Sequence, residues 1–434
     1  MPEPSELVRS VVESFSISEP VLREISQKLR EEFILGLEQG RPASSVAMLP
    51  TFLPALPDGT ESGTYVSIDL SGKNLRVVLL KASADREPDV VNANFMIHDS
   101  VMKGTGEQLF TFIVNCLQKF VEDTGVPASQ ELPIGFVFSY PCEMDCLQKD
   151  VVKLLEEALE LNSRVSGRVQ AVMNDTVGQL ASAAHHYGPD CVMGVVIGYG
   201  NNASYLERVE NIRKLDAERH AYAYPNMVVV TEWEEFGAKG ELAAILTPYD
   251  RQVDADSVHK GKQIVDKLTG ALYLGELVRH VLLDLVQEGA IFDGKSAESL
   301  EMPNAFPSKY ISEILGDQEG SYRNCRRICD ELEIACHSAS DYVSLREICY
   351  AVSKRSAAIT ASAIAALLAH MGRPRVTIGV GGAQIQFNPV YMTILEDQLT
   401  ALAPTDIQWK IVLAVEGSAK GAALIAGVVD KLKL

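Results

Sequence analysis

Two stretches of the chain share one design, and that repetition limits the folds open to it. Thr64-Tyr-Val-Ser-Ile-Asp-Leu-Ser-Gly-Lys-Asn-Leu-Arg-Val-Val-Leu-Leu80 sets β-branched and apolar residues on both sides of Ser71-Gly72-Lys73-Asn74. Val192-Met-Gly-Val-Val-Ile-Gly-Tyr-Gly-Asn-Asn-Ala-Ser-Tyr-Leu206 does the same around a Gly/Asn turn. Each pattern predicts a β-hairpin. Each is followed by helical and strand patterns, so the chain reads as two similar α/β halves rather than a repeat array. The turn glycines either serve hairpin geometry alone or leave N–H groups converging as an anion nest suited to phosphate.

Between the hairpins, Ala171-Val-Met-Asn-Asp-Thr-Val177 is an apolar run ending in a carboxamide and a carboxylate. It reads as a buried strand that opens into a polar turn. Asp175 there is either a turn or cap residue or a carboxylate placed to accept a proton from a substrate hydroxyl. Elsewhere the periodicity predicts helices over Leu22–Phe33, Glu107–Phe120, Asp150–Leu161, much of 261–289, Ser344–His370 and the C-terminal residues carrying Leu424, Val428 and Leu432. Strands are predicted at Leu132–Pro141, Val376–Gly382 and Lys410–Leu413. Thr231-Glu-Trp-Glu-Glu-Phe-Gly237 reads as an extended segment entering a loop. The strand at 410–413, with the Gly/Ser turn and helix start after it, forms a natural phosphate or ribose site.

The net charge of −19 disfavours nucleic acid and anionic membranes as partners. No uninterrupted apolar run is long enough for a bilayer, and Met-Pro-Glu-Pro-Ser-Glu lacks a signal-peptide pattern, so a cytoplasmic location is expected. The eight cysteines lack zinc-site spacing and are expected to be reduced, with no dedicated metal site in the protein.

The motifs in their order resemble the hexokinase family over nearly the whole chain. Met48-Leu-Pro-Thr51 and Pro57–Gly63 match the lead-in, and Asp69-Leu-Ser-Gly-Lys-Asn-Leu-Arg76 matches the first phosphate hairpin. Leu132–Pro141 matches the sugar-loop strand, Asn174-Asp175-Thr176 the catalytic strand, and Gly198-Tyr-Gly-Asn-Asn-Ala203 the second phosphate hairpin. Thr231-Glu-Trp233, Tyr249-Asp-Arg251, Tyr273-Leu-Gly-Glu276 and Gly417-Ser418 complete the series.

The resemblance implies an α/β, two-lobed actin-like ATPase (ribonuclease H-like) fold of hexokinase type. The small lobe would span 61–176 and the large lobe 177–420. Residues 1–60 would pack on the large lobe, and 421–434 would return to the small one. It further implies transfer of phosphate from Mg-ATP to the 6-hydroxyl of a hexose, with Asp175 as base. Ser139, Asn174, Asn202, Glu232 and Glu276 would hold the sugar. Asp69, Gly72, Lys73, Asn74, Arg76, Gly198, Gly200, Gly417 and Ser418 would face the nucleotide.

Departures from the family pattern fall mostly on the nucleotide side. Ser71 and Lys73 stand for Gly and Thr in the first turn, and Tyr199 for Thr in the second. Glu234 and Glu235 stand for Gly and Ala. Gly381 and Ala383 stand for the Asp and Thr of a turn near the adenosine. The Thr-Lys of the family's sugar loop is absent between Pro141 and Asp175, leaving Lys149, Lys153 or Arg164 as substitutes. Loss of such a contact costs about 10²–10³ in rate. These changes weigh against Mg-ATP binding. They set an active hexose kinase beside a second reading, an impaired homologue that binds sugar as a sensor and has a regulatory protein partner. A purely structural polymer is the third.

Overall fold

A computed structural model of the chain describes residues 3–84, 86–127, 129–138, 144–161, 164–215, 222–295, 298–318, 320–336, 338–414 and 417–433. Eleven strands lie in two sheets among the described residues. The first sheet contains β2 (Gly63–Ser71), β3 (Asn74–Ser83), β4 (Arg86–Met96), β5 (Leu132–Phe138) and β6 (Gly167–Met173), in the order β4-β3-β2-β5-β6. The second contains β1 (Leu49–Pro50), β7 (Cys191–Ile197), β8 (Asn201–Arg208), β9 (Asn226–Val230), β10 (Arg375–Gly381) and β11 (Gln408–Leu413), in the order β1-β9-β8-β7-β10-β11. In both, an antiparallel meander of three strands is extended by two parallel strands. The twin hairpins are therefore the start of two equivalent sheets.

The parallel strands are apolar throughout because helices cover them. Phe110, Ile113, Leu117 and Phe120 from the helix Gly106–Asp123 fill the first core with Ile68, Ile134 and Phe136. The helix Glu19–Glu38 contributes Leu22, Ile25, Leu29 and Phe33 to the core of the second sheet. That core also takes the Ala-rich helix Ala339–Met371, whose N-terminus is closed by a Ser338–Asp341 capping box. This helix is long and apolar enough to cross a bilayer, against the sequence expectation, but it is mostly buried within the fold. Alanines along it let neighbouring helices approach closely.

Two helices connect the sheets. The helix Asp175–Tyr187 lies on the second sheet, against β7, β8 and β10, and the C-terminal helix Gly417–Leu432 lies on the first, against β2, β3, β5 and β6. They cross where Gly178 and Gly421 meet: a Cβ on Gly421 would stand 1.7 Å from the Gly178 carbonyl oxygen. Two backbones thus touch with no side chain between them.

Strand β4 has no counterpart in the sequence expectations. Its sequence carries Pro88 and five polar residues, Arg86, Glu87, Asp89, Asn92 and Asn94, beside the apolar ones, which suits an edge strand with one solvated side. The segment at 231–237 is also tighter than expected. A 3₁₀ turn, Trp233–Glu235, replaces the extended run.

Candidate active site

The helix Asp175–Tyr187 starts at the end of β6, where the strand leaves the sheet at the cleft between the lobes. Asn174 is its cap: Oδ1 accepts from the Thr176 N–H at 2.9 Å and from Thr176 Oγ1 at 2.7 Å. Asp175 is thereby the first helical residue rather than the cap, and its carboxylate is buried near the charges of Asp69 and Glu232. Thr176 carbonyl accepts from the buried Ser204 Oγ at 2.8 Å, which ties this corner to β8.

Strand β8 presents Asn202, which binds Glu232 twice. Asn202 Nδ2 donates to Glu232 Oε1 at 2.7 Å, and Glu232 N donates to Asn202 Oδ1 at 3.0 Å. Glu232 needs this clamp, since its backbone is left-handed (φ 55°), a conformation costly for a residue with a Cβ. Trp233 and Phe236, both fully buried, anchor the turn from below.

Asp266, on the helix Ile264–Thr269, joins the group and was not foreseen. Its Oδ1 accepts from the Asn201 N–H at 2.8 Å, and its Oδ2 lies where a Cβ on Gly200 would come within 2.6 Å. Gly200 is thus required for close approach of a carboxylate. Burial pushes the pKa of Asp266 up to about 7, with the charges of Glu232, Glu235 and Asp175 adding to it. Burial likewise pushes Asp175 up to about 7, helped by the charges of Asp69 and Glu232.

Glu276 does not belong to this group. Arg279, one turn along the same helix, donates to both of its oxygens, Nε to Oε1 at 2.9 Å and Nη2 to Oε2 at 2.9 Å. The Asn304 N–H donates to it at 2.5 Å. Its carboxylate is consumed by these partners on the wall of a separate cavity of about 670 Å³. Asp266, ten residues earlier, is the acid that lies near Glu232 and Asp175. Ser139 lies outside the described residues.

That cavity adjoins the nucleotide-side residues. Tyr199, Leu272, Ser308, Lys309, Gln384 and Phe387 are among its walls. The second turn is pinned beside it, since Gly198 and Tyr199 carbonyls accept from the N–H groups of Ala271 and Leu272 at 2.9 and 3.2 Å. The Tyr199 ring is therefore swung outward and exposed.

Asp69 sits at the end of β2, directly across the ladder from Arg76. Its Oδ2 accepts from Ser418 Oγ at 2.7 Å, while its buried Oδ1 has no partner among the described residues. Burial raises its pKa, which the Ser418 bond and the Arg76 charge oppose. A buried carboxylate with one oxygen unmet, beside a helix N-terminus and a glycine turn, fits a cation–phosphate ligand. Asp69, Ser418, Gly417 and the Gly72–Lys73 turn are the residues that would hold the magnesium–triphosphate end.

Three expectations about the turns change. Ser71 is the last extended residue of β2, and the left-handed residue of the turn is Gly72, with open space around it. Lys73 Nζ is paired with Asp99 at 2.6 Å, both exposed. Lys153 pairs with Glu157 on its helix surface and Arg164 faces Glu122, so neither reaches the cleft; Lys149 lies outside the described side chains. Asn74 is paired with Ser71 and Met96 across the sheet. Gln179, unremarked in the sequence, is buried one turn from Asp175, and Gly381 and Gly417 are the glycines that give its amide room.

Two lobes, twin sheets and a cleft carboxylate define the actin-like ATPase fold. The comparisons narrow this. Hexokinase family models match residues 7–149 and 192–428. A hexokinase of Brugia malayi is 39% identical over 450 aligned positions, covering 99% of this chain and 78% of that one. Human hexokinase-1 is 32% identical over 98% of this chain, which spans only 48% of the human protein. The solved structure of a hexokinase from Schistosoma mansoni, complexed with glucose, superimposes with a TM-score of 0.88 at 32% identity, covering 98% of each chain. The chain belongs to the hexokinase family.

Proposed function

We propose that this chain transfers a phosphoryl group from Mg-ATP to the 6-hydroxyl of a glucose-type hexose, with Asp175 as the base. The observation that carries this reading is the grouping of Glu232, held by Asn202, with Asp175 and Asp266, both of which feel its charge, and of Asp69 with Asp175. The relatives' names, hexokinase, and the glucose bound in the Schistosoma structure support the choice of sugar.

A neutral polyol is held by fixed donors and acceptors, and carboxylates accept strongly from hydroxyls. Glu232 and Asp266 supply such acceptors, with the Asn202 clamp keeping Glu232 in place. The hydroxyl oxygen attacks the terminal phosphorus, its proton passes to the Asp175 carboxylate, and ADP leaves with the electrons of the broken P–O bond. Phosphoryl transfer depends mainly on such positioning. Bound magnesium would offset charge on the triphosphate. The cavity beside Tyr199 and Phe387 is the natural seat for the nucleoside.

ADP release measured across a panel of hexoses, with Asp175→Ala as control, tests the reading. Turnover absent from both proteins, with glucose still binding by calorimetry, would instead identify the chain as a sugar sensor.

Two further results are expected. Asp266→Asn raises KM for hexose about 10–100-fold, the worth of a hydrogen bond to a charged acceptor, whereas Glu276→Gln leaves hexose KM within about twofold. Equal effects of the two would overturn the exchange of roles. Second, the base must be ionised, and its pKa is raised to about 7. Hexose kcat/KM therefore falls on the acid side, about tenfold per pH unit below pH 7. The limb reports the coupled carboxylates as a set. Asp69→Asn removes a negative neighbour of Asp175 and moves that limb to lower pH, whatever it does to its height.

A further inference from the structure

Gln179 is a buried amide that the mechanism leaves unused. It is 3% exposed and lies one turn after Asp175 on the same helix. Its Nε2 donates to the Ala414 carbonyl at 3.3 Å, and no group among the described residues donates to its Oε1. A carboxamide carries two N–H donors and an accepting oxygen, and buried ones are normally satisfied. Here one N–H has a partner among the described residues, and the rest of the amide is open to a ligand.

Two glycines frame it. A Cβ on Gly381 would stand 2.7 Å from both Nε2 and Oε1, and a Cβ on Gly417 would stand 2.0 Å from Oε1. For either glycine, the nearest atoms are all of the Gln179 carboxamide. Gly381 is the last residue of β10 and its φ is not positive, so its backbone does not ask for glycine. What a side chain at 381 would meet is Gln179. The family pattern has aspartate at that position, so the amide, reaching over from another helix, fills the volume of the missing acid. On its other side Gly417 leads into Ser418, whose Oγ donates to Asp69 at 2.7 Å.

We propose that Gln179 is a nucleotide-binding residue of this chain, its carboxamide standing in for the aspartate absent at 381. This rests on the Mg-ATP reading of the corner formed by Asp69 and Ser418. A carboxylate only accepts, so it meets a triphosphate through magnesium or its waters. A carboxamide also donates, and the second N–H of Gln179 goes to a phosphate oxygen directly. The exchange also removes one negative charge from a corner that already holds Asp69 and Asp175.

The test is titration of ADP and of glucose by calorimetry, with magnesium present, and steady-state kinetics on the full chain. The variants are Gln179→Ala and the double change Gln179→Ala with Gly381→Asp. Gln179→Ala raises ADP Kd and KM for ATP about tenfold, the size of one hydrogen bond to a charged group, with glucose Kd within about twofold. In the double variant the new carboxylate occupies the vacated space, and ADP Kd returns to within about threefold of the parent. Gln179→Met, which keeps the length and removes the hydrogen bonding, gives the same ADP loss and takes the place of the single alanine variant if that one does not fold. The proposal is overturned if Gln179→Ala leaves ADP affinity unchanged, if glucose affinity falls as far as ADP affinity, or if adding Gly381→Asp restores nothing. No ADP heat from the parent chain would sink the nucleotide site itself, a result the parent titration separates from the others.

Discussion

Asp175→Ala is expected to lower kcat for hexose phosphorylation by about 10²–10⁴-fold, the range for loss of a positioned general base. Glucose affinity, read by calorimetry, should change far less, because Asn202, Glu232 and Asp266 are untouched. The split follows from the geometry. Asp175 is the first residue of a helix whose cap is supplied by Asn174, so the cap does not depend on its carboxylate. The helix starts with or without it. Asp175→Asn, which keeps the volume and removes the basicity, should fall as far as alanine. Residual turnover within about tenfold of the parent in either variant would remove Asp175 from the reaction.

Gly421→Ala is expected to be among the most damaging single-methyl additions in the chain. The new Cβ would lie 1.7 Å from the Gly178 carbonyl oxygen and 2.5 Å from its carbon, so only separation of two helices relieves the overlap. Overpacking against backbone costs about 3 kcal/mol, since no side chain can rotate away. For a chain of 434 residues that corresponds to a fall of about 3 °C or more in the thermal midpoint. Gly106→Ala offers the contrast: its Cβ meets only the tip of Leu154 at 3.1 Å, and the midpoint should stay within about 2 °C. An unchanged midpoint for Gly421→Ala would mean that the two helices are not in backbone contact. Activity should fall with stability, because Gly178 lies one turn from Asp175 on the same helix.

What could be read in the sequence was what local chemistry determines. The hairpins announce themselves by β-branched runs on both sides of a glycine turn, and the motif order led to the family. Strand β4 was invisible because an edge strand obeys weaker rules: polar residues and a proline are tolerated where one side meets water. The placement of Asp266, rather than Glu276, beside Glu232 and Asp175 was missed for a different reason. Both acids lie in helical sequence ten positions apart, and only the tertiary fold decides which faces the cleft. One signal was present. Arg279, three residues after Glu276, predicts an intrahelical ion pair that would occupy the carboxylate. Gln179 gave none, because its role exists only where Gly381 and Gly417 meet it from distant parts of the chain.

The meeting of Gly178 with Gly421 also restricts how the molecule can flex. Each helix is fixed to its own sheet, and with bare main chain pressed against main chain, neither can slide along the other without a carbonyl colliding with an α-carbon. The lobes should therefore behave as two jaws on a pin, and a ligand that draws them together would change an angle between them rather than a relative offset.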